Sequence, residues 1–377
     1  MSDKYILYLY DGIGDLKYIW GDNDILSLQY AYKEKEIGRC NLVLPPIYDI
    51  YNDFDVDCIL KIYRYNGIGY YLEGERAWLL QDPFYNSSPD QKHIELIFDC
   101  SNTYIDRREI AYAAETAQTN RTEFADDMLR NIFKQNAGTS AIAARDLSAF
   151  IALQAAHSAA PSISKAFAWR NMLDVMRDIC QESFDDGTYL VFDIVCTGGT
   201  DFEFRTYTGQ RGVDHGLDSG NNKIVLREQT GELNNLRWGK IWSDSKNYAY
   251  AGGQGQSTAR TIAEQSIPNH INRSRGNRRE IFTNASRNPS SAAFLNSEAK
   301  ALLAENRARL IVDAELQDRP GFVYGLDYKF GDKMVLETEY FSLDVRLDTI
   351  SVEYIFNQES VSMEENLSLI LHGELYI

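Results

Sequence analysis

The first hundred residues alternate apolar and polar positions in short runs broken by turn residues, the period of half-buried strands. Tyr5–Tyr10 is an apolar run ended by Asp11-Gly12. Leu26–Tyr32 alternates and stops at a charged stretch and Gly38. Cys40–Leu44 runs into Pro45-Pro46, which cannot donate to a sheet ladder and so closes that strand. Cys58–Tyr65 and Tyr70–Leu80 flank Asn66-Gly67-Ile68-Gly69, a hairpin signal, and His93–Cys100 ends the set. Short strands with turns between them predict a small barrel or sandwich.

After Cys100 the period changes. Ser101 and Asn102 offer a helix cap. Thr122–Lys134 carries Phe124, Met128, Leu129, Ile132 and Phe133 at helical spacing and predicts a helix. The Ala-rich stretch 141–157 reads as a second helix or a loosely ordered segment. Trp169–Phe184 is the clearest amphipathic helix, with Met172, Leu173, Met176, Ile179 and Cys180 on one stripe and Asp185-Asp186-Gly187 as its end. Tyr189–Val195 and Phe202–Tyr207 read as a hairpin around Thr197-Gly198-Gly199-Thr200. Further strands are predicted at Ile224–Leu226, Leu233–Trp242 and Asn247–Ala251. A helix is predicted over 297–315, capped by Ser297, with Leu302, Leu303, Asn306, Leu310 and Ala314 as its stripe. From Phe322 the chain is β again, with strands at Lys333–Glu337, Ser342–Leu347, Thr349–Phe356 and Leu367–His372. Two β-rich segments thus bracket a mixed one. The fold class is mixed α+β and β-dominated. The division is 1–102, then 103–222 completed by 266–321, then 223–265 with 322–377.

One stretch invites a chemical reading. Asn247–Ala251 runs into Gly252, Gly253 and Gly255. A phosphate-binding P-loop needs a Lys-Ser/Thr pair after its last glycine, and a dinucleotide fingerprint needs a helix opening among the glycines. Neither is here. The glycines read as a topological turn at which the chain leaves the second β-rich segment, and the strand before them is expected to pair with Lys333–Glu337.

Composition narrows the function classes. The chain has 377 residues and a net charge of −17, which argues against a generally basic nucleic-acid-binding face. Its 24 tyrosines suit half-wet sheet surfaces and interfaces. Five scattered cysteines without a CxxC pair imply free buried thiols from a reducing compartment. No signal peptide is read at the N-terminus, and no apolar run approaches the ~20 residues of a membrane span. Candidate chemistry is sparse. Asp53, Asp55 and Asp57 alternate, so in a strand they would share one face. That pattern lacks the Gly and Glu of a calcium loop and reads as a solvated acidic face. The five histidines show no metal-ligand spacing. Asp214-His215 has no nucleophile at motif spacing. The basic run Arg273–Arg279 lacks the interleaved aromatics of a single-strand platform and reads as a solvated loop or an inter-subunit ion-pair surface.

Several stretches together resemble one family, the tail hub (baseplate hub) proteins of long-tailed phages, similar in fold to contractile-tail hubs and type VI spike hub domains. They are Asn41-Leu-Val-Leu-Pro-Pro, Asn171–Gly187 with the hairpin to Tyr207 and the Gly-Gln-Arg-Gly-Val-Asp loop, Asn247-Tyr-Ala-Tyr-Ala-Gly-Gly-Gln-Gly with Arg260, Arg278-Arg279-Glu-Ile-Phe, and Phe330-Gly-Asp-Lys-Met-Val. Order and spacing carry the resemblance over most of the chain; 136–165 has no counterpart. The resemblance implies two small antiparallel β-barrel hub domains flanking an α/β domain, assembled as a homotrimeric ring. It implies a structural virion protein at the tail tip, made in the host cytoplasm. Such a hub joins the sixfold tail tube to threefold tip components and forms the channel for DNA ejection. Its implied partners are the distal tail protein, the tail tube and tape-measure protein, and receptor-binding fibre or spike proteins. It implies no catalysis, cofactor, metal or membrane insertion, and phage DNA passes without sequence-specific binding. The −17 charge then suggests that Asp53, Asp55 and Asp57 face the lumen and repel DNA. Two alternatives remain open: a β-rich host-carbohydrate-binding tail module, and a cell-wall-degrading tail enzyme using paired carboxylates. The chain stops at Ile377 soon after its last β segment, which speaks against a built-in muralytic domain.

Overall fold

The computed structural model describes residues 3–89, 91–111, 119–167, 169–285, 291–357 and 362–376. The chain is mixed α+β and β-dominated, with 45% strand and 20% helix. The predicted early strands form as Tyr5–Tyr10, Ser27–Lys33, Arg39–Leu44, Ile59–Tyr65, Tyr70–Leu72, Trp78–Ser87 and Lys92–Cys100. A further strand, Leu16–Trp20, pairs with Tyr5–Tyr10.

The two β-rich segments share one sheet. Their strands join in one fourteen-stranded sheet, and no closed barrel is found among the described residues. The main path runs from Leu233–Ile241 through Arg309–Leu316, Ser362–Tyr376 and Ser342–Asn357. It then crosses to Ser27–Lys33 and continues through the N-terminal strands to Leu16–Trp20. The joint is antiparallel, with Ile350 opposite Tyr32, Val352 opposite Tyr30 and Tyr354 opposite Leu28. Each strand alternates apolar positions inward, and each would otherwise present an unpaired edge, so pairing hides both. Trp20, Tyr30, Trp78, Phe98, Val345 and Val352 then share one buried core.

The middle segment has a core of its own. Met172–Asp185 is a helix whose cap is Asn171; its side-chain oxygen accepts from the Leu173 and Asp174 amides at 2.8 and 3.2 Å. All five predicted stripe residues are buried, against helix Ala125–Asn136 and the strands Leu190–Gly198 and Asp201–Thr208. The earlier helix opens at Ala125, because residues Thr119–Phe124 pair as a strand with Ser162–Phe167. The Ala-rich stretch 141–157 is not a second helix. It makes a 3-10 turn at Ala143–Arg145 and a short strand, Ile151–Leu153, parallel to Asp201–Thr208. Alanine supplies helix propensity, but without an apolar stripe at helical spacing there is nothing to dock.

Two further expectations are corrected. The helix placed at 297–315 spans Ala292–Glu305, capped by Ser291, and Arg309–Leu316 is a strand. Leu310, Val312, Ala314 and Leu316 point into the core with period two, and that alternation overrides the helical stripe. Strand Tyr248–Gly252 does not pair with Lys333–Glu337, which lies between Val225–Arg227 and Ser342–Asn357. It sits in a separate three-stranded sheet, antiparallel to Ile262–Ser266 and parallel to Glu280–Asn284. Helix Ala292–Glu305 covers one face of that sheet over Ala249, Ala251, Ala263, Leu295, Ala299 and Leu303. The flanking strands Leu233–Ile241 and Arg309–Leu316 pair with each other, so this unit is inserted between two partners of one ladder.

The strand assignment of 309–316 predicts that Leu316→Ala, which lies beyond the helix expected from sequence, removes about 2–5 kcal/mol of stability. Equilibrium urea unfolding measures it; a loss below about 0.5 kcal/mol contradicts the buried strand position.

Candidate functional site

The residues with chemical potential are dispersed. Among the described residues no group of three His, Cys, Asp or Glu side chains is placed to hold a metal. All five cysteines are free and buried. Burial pushes the Cys180 thiol up to about 12, so it is not a nucleophile at neutral pH. Asp214 is ion-paired with Lys333 at 2.7 Å, while His215 Nδ1 lies 2.7 Å from the Asn222 carbonyl, so the two do not form a relay.

Asp53, Asp55 and Asp57 do not share a strand face. Asp53 ends the short helix Ile50–Asp53, and Asp55 lies just beyond it. Asp57 sits in a turn with φ of 59° and pairs with Arg107 at 2.8 Å. The chain folds back there because the Asp49 carboxylate accepts from the Tyr51 and Asn52 amides and caps that turn of helix.

The Gly252–Gly255 segment closes a hairpin from Tyr248–Gly252 into Ile262–Ser266. Gly255 has φ of +103°, and a Cβ there would lie 2.4 Å from the Ala259 carbonyl oxygen. A Cβ on Gly252 would lie 2.6 Å from the Arg260 guanidinium. That guanidinium donates to the carbonyls of Gly252 and Gly253, both at 3.2 Å, and to Asn284. The glycines give passage to an arginine of the same chain rather than to a phosphate.

The strongest electrostatics lie in a buried seam where the chain's parts meet. Arg76 is fully buried and pairs with Asp193 at 3.1 Å; Arg211 pairs with the same Asp193 oxygen at 3.1 Å. The two guanidiniums lie 5.3 and 5.1 Å from the Phe330 ring centre. Close by, Glu73 accepts from Tyr32 at 2.6 Å, Tyr324 at 2.5 Å and Tyr71 at 3.1 Å. Arg64 makes a bidentate pair with Glu365, 3.0 Å on each arm, and Tyr5 donates to the same carboxylate. Burial works to raise the Glu365 pKa, but the Arg64 hydrogen bonds and charge outweigh it and hold the carboxyl below its usual range. Sequence reasoning missed this seam. Its one legible signal was Asp193, a charge inside the otherwise buried apolar run Leu190–Cys196, which a fold tolerates only with partners.

Beside the seam lies a cleft of about 630 Å³, bounded by Lys61, Tyr71, Glu75, Arg211, Lys329 and Phe330. Its carboxylates are engaged. Glu75 meets Arg211 at 3.4 Å, and Asp332 accepts from the Val213 and Lys329 amides at 2.6 and 2.8 Å. The arrangement fastens segments together and shows no nucleophile–base pair.

The fold has counterparts among solved structures. It matches prophage tail protein gp18 from Listeria monocytogenes EGD-e at TM-score 0.50 and 12% identity, covering 98% of this chain and 94% of that one. It matches the 43 kDa tail protein of prophage MuSo2 from Shewanella oneidensis at 0.54 and 7%, covering 98% and 97%. It also matches a chain of the lidded Francisella PdpA–VgrG complex at 0.50 and 8%, covering 98% of this chain and 52% of that one. No curated protein matches in sequence. The fold is therefore one shared with phage tail proteins. Within it, the chain belongs to the Siphovirus ReqiPepy6 Gp37-like family, whose model matches residues 85–361. Among the described residues no helix is long and apolar enough to cross a membrane.

Two outcomes follow from this geometry. Asp193→Asn leaves Arg76 and Arg211 facing an uncharged amide and costs about 3–5 kcal/mol, read as a lower urea midpoint; an unchanged midpoint contradicts the seam's role. His372 reaches Asp313 on the neighbouring strand at 2.9 Å and Glu374 on its own strand at 3.9 Å. The Glu374 hydrogen bond leads the forces that raise its pKa above 6.5. A raised folded pKa stabilises fully below the unfolded value and loses that contribution as pH rises through the folded one. His372→Gln should therefore narrow its stability deficit between pH 5.5 and pH 9; a deficit that grows with pH contradicts this assignment.

Proposed function

We propose that this protein is the hub of a phage tail tip: a homotrimeric ring that joins the sixfold tail tube to threefold tip components and surrounds the channel through which DNA leaves. The observation that carries this reading is the shape of the large sheet. Each chain offers two β-rich segments, joined through Ser27–Lys33 and Ser342–Asn357. The path ends in two strands paired on one side only, Leu16–Trp20 and Leu233–Ile241. Three such chains supply six β units, the number that matches a sixfold tube at one face and a threefold tip at the other. Open edges are what a neighbouring chain can cover. In this reading each β-rich segment completes its barrel in the assembled ring, the acidic bore lets DNA pass, and the outer surface meets the distal tail protein, tape-measure protein and receptor-binding parts. The similarity in fold to tail proteins and to a chain of a VgrG complex supports it.

A carbohydrate-binding role is the second reading. The cleft favours it, because Tyr63, Tyr71 and Lys61 give it the mixed aromatic and polar lining that sugars use.

Sedimentation and negative-stain imaging of the purified full chain test the first reading. The expected result is a trimer forming threefold rings with a central hole. A monomer at all concentrations, with measurable binding to host glycans, supports the second reading and overturns the first.

A further inference from the structure

We propose that the cleft bounded by Lys61, Tyr71 and Lys329 binds an acidic sugar, whose carboxylate or phosphate is taken up by the Lys61 and Lys329 ammonium groups. The inference rests on the carbohydrate reading of the cleft given above and adds the charge of the ligand.

The cleft is built on one face of strand Ile59–Tyr65. Leu60 and Ile62 lie in the core of the large sheet, so Lys61 and Tyr63 turn to the opposite face, where they line the cleft. Stretches 72–75, 196–198, 211–213 and 329–332 wall it, so all three segments of the chain contribute. A volume of about 630 Å³ is that of a small-molecule site. Part of the wall is held under constraint. Gly74 and Glu75 both have left-handed backbone, with φ of 60° and 56°. A glutamate adopts that conformation only where its surroundings impose it, and such positions gather at binding sites.

The charge in the cleft points to an anion. Lys61 is 2% exposed. Among the described residues its ammonium meets one acceptor, the Gly199 carbonyl, and lies 5.2 Å from the centre of the Tyr10 ring. No carboxylate of the described residues is within ion-pair distance of it. An ammonium has three donors, so two are left without a protein acceptor. Burying a cation costs free energy unless it is paired. Lys329 is exposed and likewise has no ion pair among the described residues. The carboxylates that share the cleft are engaged, Glu75 by Arg211 and Asp332 by the Val213 and Lys329 amides. Arg211 is itself held by Asp193. That leaves the two lysines as the cations of the cleft without a carboxylate, in a chain whose net charge is −17.

The aromatic lining sets the rest of the ligand. Tyr63 and Tyr71 are half-buried. The Tyr63 ring is braced edge-on by Tyr8, with ring centres 5.3 Å apart. The Tyr71 hydroxyl accepts from Arg64 at 3.2 Å and donates to Glu73 at 3.1 Å, which fixes that ring in place. Fixed aromatic rings suit the apolar face of a sugar, and the polar groups between them suit its hydroxyls. A sugar that carries its own negative charge also supplies the partner that Lys61 lacks.

The test is a ligand-observed NMR titration of the full chain with glucose, glucuronic acid and a glucose phosphate, probes that share a ring and differ in charge. The acidic probes should bind about fivefold or more tighter than glucose, and the margin should shrink at high salt. A margin for one acid alone supports the proposal and identifies the charged group. Lys61→Met, which keeps the length and removes the charge, should abolish the margin. Equal binding of all three probes, or a margin that survives Lys61→Met, overturns the charge assignment and leaves the carbohydrate reading standing. No binding of any probe at millimolar concentration overturns both. Circular dichroism checks folding. If Lys61→Met unfolds, Lys329→Glu decides instead: loss of the margin supports the proposal, and an unchanged margin overturns it.

Discussion

Strands Ser27–Lys33 and Ser342–Asn357 pair along seven positions, from Lys33 opposite Thr349 to Ser27 opposite Ile355. Almost the whole chain is the loop that this pairing closes. Loop closure costs entropy that grows only slowly with length, so a long loop is tolerated once the contact itself is strong. The contact is reinforced where the two segments meet. Tyr5 packs tilted against Tyr354 with ring centres 4.9 Å apart, Arg64 clamps Glu365 from 301 residues away, and Tyr32 and Tyr324 share Glu73. Remove the pairing and the sheet falls into two halves with raw edges, and the buried ions lose the neighbours that neutralise them.

Those ions are expensive to bury. Arg76 and Asp193 gain little net stability over a well-packed apolar pair, and they penalise any arrangement that separates them. The seam residues come from three segments: Arg76 from the N-terminal one, Asp193 and Arg211 from the middle, Phe330 from the C-terminal part. A seam of this kind fixes how three segments sit together more than it stabilises any one of them.

The local periodicities were legible. Alternation in the first hundred residues and the Met172–Cys180 stripe led directly to strands and a helix, because each is decided by which face of a short element is buried. The failures share one cause. Residues 309–316 carry Leu310 and Ala314 at helical spacing and also Leu310, Val312, Ala314 and Leu316 at strand spacing; the two partner strands in space choose between them. Tyr248–Gly252 has the look of any half-buried strand, and nothing in it says which sheet receives it. Asp53, Asp55 and Asp57 alternate on paper, but Asp49 caps a turn of helix just ahead of them and breaks the strand. The seam was illegible for the same reason: its parts lie far apart in sequence, and charge pairing leaves no period.

The inserted unit shows what such a sheet permits. It leaves the large sheet after Leu233–Ile241 and returns at Arg309–Leu316, and because those strands pair with each other the ladder does not need it. Its own core is mostly alanine, so it buries little apolar area per residue. Its contact with the helix Met172–Asp185 is polar at its rim: Lys300 reaches Asp186 at 3.7 Å, and the nearby Lys165 and Glu182 pair at 2.5 Å. Partly exposed pairs of this kind hold weakly. The unit therefore draws its stability from a small core and a wet contact, while the sheet beneath it is anchored by the buried seam. Local opening free energy is lowest where buried apolar contacts are fewest, so this unit can shift at a cost the main sheet never feels.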